Sequence, residues 1–113
     1  MTVEWRPVVG YESRYLVSDH GQVWIIAKRR VLGTEVSDSG HLTVQLWRNN
    51  KKRRFQVHCL VLEAFVGPRP DSLECCHNDG DAFNNHVSNL RWDTRSANTL
   101  DAIRHRKARS TAA

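Results

Sequence analysis

Residues 74–98 read ECCHNDGDAFNNHVSNLRWDTRSAN, and this stretch decides the fold. It sets His77 at the end of a short extended segment. An Asn-rich loop follows, then a second short strand, Leu90-Arg91-Trp92, and a helix that opens after Asp93 or Thr94 and carries Asn98. An imidazole titrates near neutrality and can take a proton from water. A carboxamide oxygen is a hard donor suited to Mg²⁺, Mn²⁺ or Ca²⁺. A strand–loop–strand–helix wedge can bring the two to one phosphate, which supplies the base and the single metal site that phosphodiester hydrolysis calls for. In the loop, Asn84, Asn85 and Asn89 are placed to pin backbone and ring. Taken singly, each of these residues reads as an ordinary polar side chain; the order in which they occur carries the signal.

Outward from that stretch, the chain has 113 residues, which favours one domain or one domain with a small companion module. Hydrophobic residues make up 40% of the chain, enough for a thin core, and Trp5, Trp24, Trp47 and Trp92 are expected in it. Seventeen basic against twelve acidic residues give a net charge of +5. The basic residues fall in clusters: Lys28-Arg29-Arg30, Lys51-Lys52-Arg53-Arg54, and Arg104 to Arg109. Such clusters are the usual footprint of a polyphosphate partner, and a nucleic acid fits the phosphodiester chemistry read at His77. Arg91 and Arg95 flank the site and are expected to grip the scissile phosphate or its neighbours.

Cys59, Cys75 and Cys76 are odd in number and two are adjacent, so no disulfide framework is implied and a reducing, cytoplasmic setting is expected. Without a CxxC pair, a zinc ribbon is disfavoured; a structural zinc module would have to use Cys75, Cys76, His77 and His86. The N-terminus lacks the pattern of a signal peptide, and no apolar run approaches the ~20 residues that span a membrane.

Residues 4–57 are predicted to be a meander of short antiparallel strands: Tyr15–Val17, Gln22–Ala27, a loosely alternating Val31–Val36, His41–Arg48 and Arg53–Val57. Ser18-Asp19-His20-Gly21, Asp38-Ser39-Gly40 and Asn49-Asn50-Lys51 supply the turns. The period then changes, and His58–Phe65 is predicted to be a helix covering the sheet with Leu60, Val61, Ala64 and Phe65. Gly67-Pro68 ends it. Leu73–Cys76 is extended, and a last helix is predicted over 94–104 with Ala97, Leu100 and Ile103 inward. The expected fold class is α+β: a small antiparallel β-meander module over 1–52, a nuclease motif over 53–106, and a disordered tail over 107–113.

His77-Asn78-Asp79-Gly80-Asp81, Asn84-Asn85, Asn89-Leu90-Arg91-Trp92 and Asn98 together closely resemble the HNH endonucleases, above all the phage and intron-borne homing type, whose helix opens with a Val-His pair like Val57-His58. Glu4-Trp5-Arg6-Pro7, Gly10-Tyr11-Glu12, Tyr15-Leu16-Val17-Ser18 and Gly21-Gln22-Val23 resemble the nuclease-associated module that often precedes that domain. The resemblance implies a ββα-metal fold. It implies His77 as general base, Asn89 as the catalytic-loop brace and Asn98 as metal ligand, with one divalent cation, Mg²⁺ or Mn²⁺ ahead of Zn²⁺ or Ni²⁺. It further implies hydrolysis of DNA to a 5′-phosphate and a 3′-hydroxyl.

Many members place Asp directly before the catalytic His, whereas this chain has Cys76. The second protein ligand is thus left between Cys76 and Asp79, and a non-catalytic DNA-binding module of the same fold is the alternative. Homing relatives often carry a C-terminal helix-turn-helix, for which this sequence has no room. Modest specificity and nicking by a monomer, in a host cytoplasm if the chain is phage-encoded, are therefore expected.

Overall fold

A computed structural model describes residues 3–95. The predicted last helix with Asn98, the Arg104–Arg109 cluster and the expected tail lie outside the described residues. Among these residues, three antiparallel sheets form. The first is β1 (Trp5–Pro7), β2 (Tyr15–Ser18), β3 (Val23–Ile25) and β4 (Arg30–Val31), in that order. The second is β5 (Glu35–Val36), β6 (Leu42–Arg48) and β7 (Lys51–Gln56). Helix α1 (Val57–Phe65) leads to the third, the two-stranded ribbon of β8 (Leu73–His77) and β9 (Leu90–Thr94). The class is α+β.

Local chemistry sets the turns. Between β2 and β3, Gly21 has φ +86°, a conformation costly for any residue with a Cβ. The buried Ser18 hydroxyl accepts from the amides of His20 (3.3 Å) and Gln22 (3.0 Å), which closes the turn around that glycine. Between β6 and β7, Asn49 and Asn50 both have positive φ, 53° and 61°. That pair is the type I′ geometry whose twist matches the strands it joins, and Asn tolerates it best after Gly.

In β6 the period of two directs Val44 and Leu46 into the core. Leu46 is fully buried, and such a side chain contributes on the order of 1.5–3 kcal/mol. Helix α1 contacts β1, β2, β6 and β7 on one flank and β8 and β9 on the other. Being packed on two flanks, it buries Val57, His58, Leu60, Val61 and Leu62, more than a one-faced amphipathic helix would. Two amides, Val66 N and Gly67 N, close its last turn on Leu62 O at 2.9 and 3.0 Å.

Several expectations are corrected. The predicted strand over 53–57 starts at Lys51 and gives up Val57 to the helix. The single Val31–Val36 stretch divides into β4 and β5, which belong to different sheets. Trp47 is 50% exposed rather than core, because it lies on the outer face of β6 beyond the covered part of the sheet. Ala64 and Phe65 do pack against the core, half-buried, and the fully buried Leu62 joins them. Strand β7 runs unbroken through residues 52 and 53, paired along its length with β6.

Candidate active site

His77 ends β8, opposite Leu90 in the register that also pairs Cys76 with Arg91 and Cys75 with Trp92. Strand alternation puts Cys75 and His77 on one face and Cys76 on the other. His77 is 8% exposed. Its Nε2 lies 2.7 Å from Oδ1 of Asn85, itself 3% exposed. A carboxamide oxygen only accepts, so Nε2 is the protonated nitrogen and Nδ1 carries the lone pair. Burial pushes the His77 pKa below the ordinary imidazole value. The Asn85 bond and the charges of Asp79 and Asp81 oppose that push, and His58 adds to it. The ring is therefore neutral at pH 7, with one basic atom.

The loop after His77 is tied by its own amides and carboxylates. Oδ1 of Asp79 accepts from Asp81 N (2.8 Å) and Asn89 Nδ2 (2.9 Å), and Oδ2 accepts from Asn84 Nδ2 (2.8 Å). Asn89 also donates to Asn84 O (2.9 Å) and accepts from Asp79 N (3.1 Å). These bonds, led by the one from Asn84, hold the Asp79 carboxyl down to about 2. The three asparagines thus divide the work: Asn85 holds the ring, while Asn84 and Asn89 hold the backbone through Asp79. Asn78 N donates to Asn89 O at 2.7 Å, which continues the β8–β9 ladder into the loop.

The candidate metal ligands differ in what they offer. Cys76 is 1% exposed and its thiol donates to Glu74 O at 3.7 Å. It is a soft donor on the face away from His77 and suits a hard ion poorly. Asp79 has the hard oxygens, already engaged as loop acceptors. Asn98 lies outside the described residues.

Arg91 donates to Asp93 Oδ2 (2.9 Å) and Asn78 Oδ1 (2.6 Å), so its guanidinium is held beside the loop that follows His77. Arg95 is exposed. The basic hairpin is exposed from Lys51 to Arg54, with Lys52 over the Trp47 ring, Arg53 over Phe55 and Arg54 3.6 Å from Glu35. Lys28, Arg29 and Arg30 are exposed. Lys28 and Arg30, with Arg14, line a cavity of about 720 Å³ that shares no residue with the His77 site.

The disfavoured zinc module of Cys75, Cys76, His77 and His86 is not assembled. Cys76 faces away from Cys75 and His77, and His86 stacks edge-on with His20, 4.6 Å between centroids. Cys75 instead meets Cys59 and His58. Its thiol donates to Cys59, which, with His58 and Arg69 nearby, pushes the Cys59 pKa down.

Two neighbours of His77 were not foreseen. The rings of His58 and His41 lie 4.7 and 5.9 Å from it, centroid to centroid. For His58 the available signal was its position four residues before the buried Leu62 on one helix face; for His41 there was none.

Comparison with known proteins gives concordant matches. Residues 55–100 match the family model described as HNH endonuclease, and residues 4–47 match the NUMOD4 motif. DNA endonuclease I-HmuI of Bacillus phage SP01 is 35% identical over 96 residues, covering 85% of this chain and 55% of I-HmuI. An uncharacterized HNH endonuclease of Acanthamoeba polyphaga mimivirus is 28% identical over 103 residues, 91% of this chain and 31% of that protein. The chain therefore spans about half the length of I-HmuI and a third of the mimivirus protein. A solved structure, described as DNA binding and cleavage by the HNH homing endonuclease I-HmuI, superposes with a TM-score of 0.83 at 32% identity, covering 96% of this chain and 66% of that one.

Proposed function

The chain belongs to the HNH endonuclease family, and from that premise we propose that it nicks double-stranded DNA by metal-dependent hydrolysis, with His77 as general base. The observation that carries the reading is the 2.7 Å bond from His77 Nε2 to Asn85 Oδ1. It fixes the tautomer and leaves Nδ1 to take a proton from water, while burial keeps the ring neutral. Water then attacks phosphorus, its proton passes to Nδ1, and the bond from phosphorus to the 3′ oxygen breaks; that oxygen takes a proton from solvent water, giving a 5′-phosphate and a 3′-hydroxyl.

Asn98, with Asp79 or Cys76 as second protein ligand, would hold one divalent ion, Mg²⁺ or Mn²⁺ ahead of Zn²⁺ or Ni²⁺. When bound, the ion relieves the charge that grows on the phosphoryl oxygens and the departing oxygen. Asn89 keeps the loop in shape, and Arg91 and Arg95 face the scissile phosphate or its neighbours. Lys51, Lys52, Arg53 and Arg54, with Lys28, Arg29 and Arg30, hold the backbone without reading sequence. Residues 1–52 serve DNA attachment and 53–106 serve cleavage. One site cuts one strand, so a monomer nicks, in the cytoplasm where its DNA is.

The test is a supercoiled plasmid incubated with Mg²⁺ or Mn²⁺, with and without EDTA. Relaxation that stops with EDTA and with His77→Ala supports the enzyme. DNA retention without nicking in any divalent metal supports instead a binding module with catalysis lost at Cys76.

A further inference from the structure

His41, His58 and His77 each offer a ring nitrogen, and these atoms lie within 4.8 Å of one another. Besides the two contacts to His77, the His41 and His58 rings lie 5.0 Å apart. The outer bonds of the cluster are those of a ligating set. His41 Nδ1 is 3.0 Å from Ser39 Oγ, which leaves Nε2 to bind. His77 Nε2 is taken by Asn85, which leaves Nδ1. His58 is 3% exposed, and its Nδ1 is buried with no hydrogen-bond partner. A ligating His commonly has its other nitrogen held by a second group, and an orphaned buried nitrogen is costly unless something binds it.

We propose that His41, His58 and His77 form a site for a late first-row transition metal ion of the Zn²⁺ class, separate from the catalytic ion, whose occupancy takes His77 out of service as base. A tetrahedral ion with Zn–N bonds of ~2.0–2.1 Å needs its nitrogens about 3.3 Å apart, so the rings close by small χ rotations. Imidazole nitrogen suits Zn²⁺, Ni²⁺ and Cu²⁺, whereas Mg²⁺ prefers oxygen, so the two metals do not compete for one set of ligands.

The neighbouring group of His58, Cys59 and Cys75 is the weaker binder. Arg69 lies 3.5 Å from the Cys59 sulfur and opposes a cation there. His58 and Cys59 are also successive residues of one helix, with side chains pointing about 100° apart. Asp79 and Asp81, by contrast, place negative charge near His77.

The inhibitory half of the proposal rests on His77 as base; the metal-binding half does not. The test is titration of the full chain with Co²⁺, read by visible absorption, followed by displacement with Zn²⁺. The expected result is one equivalent bound with ligand-field bands and no thiolate-to-cobalt charge transfer. His41→Ala, at a half-buried position, weakens binding by about tenfold or more, and Cys59→Ser with Cys75→Ser leaves it unchanged. In plasmid nicking, one equivalent of Zn²⁺ added to the Mg²⁺ reaction stops the wild type, whereas His41→Ala keeps most of its own zinc-free rate. No Co²⁺ binding at micromolar concentration, a thiolate band, or His41→Ala binding like the wild type would each overturn the site. If no variant nicks DNA at all, the proposed function fails while the Co²⁺ titration still decides the metal site.

Discussion

Gly21 and Asn85 are in direct backbone-to-side-chain contact: a Cβ built on Gly21 would stand 2.7 Å from Asn85 Cβ and 3.3 Å from Asn85 O. The turn between β2 and β3 is thus pressed against the residue that holds the His77 ring. Asp19 O reinforces this by accepting from Val87 N at 2.8 Å. The N-terminal sheet therefore buttresses the loop that follows β8.

Gly21→Ala is expected to cost twice, through the left-handed backbone and through the clash, about 1–3 kcal/mol in total. Because the displaced neighbour is Asn85, nicking should fall further than stability does. Denaturant melts and single-turnover rates on the same preparation check this, and a variant that loses stability but keeps its rate per folded molecule would break the link.

Replacing Asn85 separates tautomer from packing. Asn85→Ala frees the ring and should lower the nicking rate by about 10- to 100-fold, no more than the low end of what general base catalysis supplies. Asn85→Asp puts a carboxylate beside the imidazole and should raise the His77 pKa, moving the acidic limb of the pH–rate profile to higher pH. An unmoved limb would show that this side chain does not face the base.

The pH dependence of the unmodified protein follows from the downward shifts of His77 and His41, both led by burial. Nicking should rise with pH along a limb centred below the ordinary ~6.5 of imidazole and then level off. For stability, the unfolded chain takes up protons at ~6.5 while the folded chain resists until lower pH. The unfolded state then binds more protons, so stability declines as pH falls below ~6.5 and stops declining below the folded values. Melting temperature measured from pH 8 to 5 checks the sign; a protein that grows more stable over that descent contradicts it.

Asn89→Ala removes three bonds to Asp79 and Asn84 at once. Losing these three bonds together should destabilise the protein by about 1–3 kcal/mol and impair nicking by loosening the loop. Hydrogen exchange of the Asp79 and Asp81 amides should accelerate in the variant. Unchanged protection of those amides would count against the brace.

Neutralising Lys51, Lys52, Arg53 and Arg54 should weaken DNA binding at low salt and flatten its salt dependence, by about one unit of slope for each phosphate that the hairpin no longer neutralises. Binding isotherms across a salt series measure this. A slope equal to the wild type would take the hairpin out of the DNA path.

Much of this was legible in the sequence where the signal was periodic or ordered. The alternation of Leu42, Val44 and Leu46, the switch to helical period after Val57 and the strand–loop–strand around His77 all appear as expected. What was not legible depends on which side of an element becomes covered. His58 occupies a position where a polar side chain would normally face water, yet α1 is packed on two flanks. Asn84, Asn85 and Asn89 are chemically identical, so only geometry could assign the ring to Asn85 and the backbone to the other two. Trp47 looked like core by type, but its parity in β6 sends it outward.

The central claim is that His77 takes the proton from the attacking water. Single-turnover nicking by His77→Ala, with DNA affinity measured on the same samples, tests it most directly. The account predicts undiminished binding with a rate reduced by about 10²- to 10⁴-fold. Nicking at the wild-type rate by His77→Ala would contradict it.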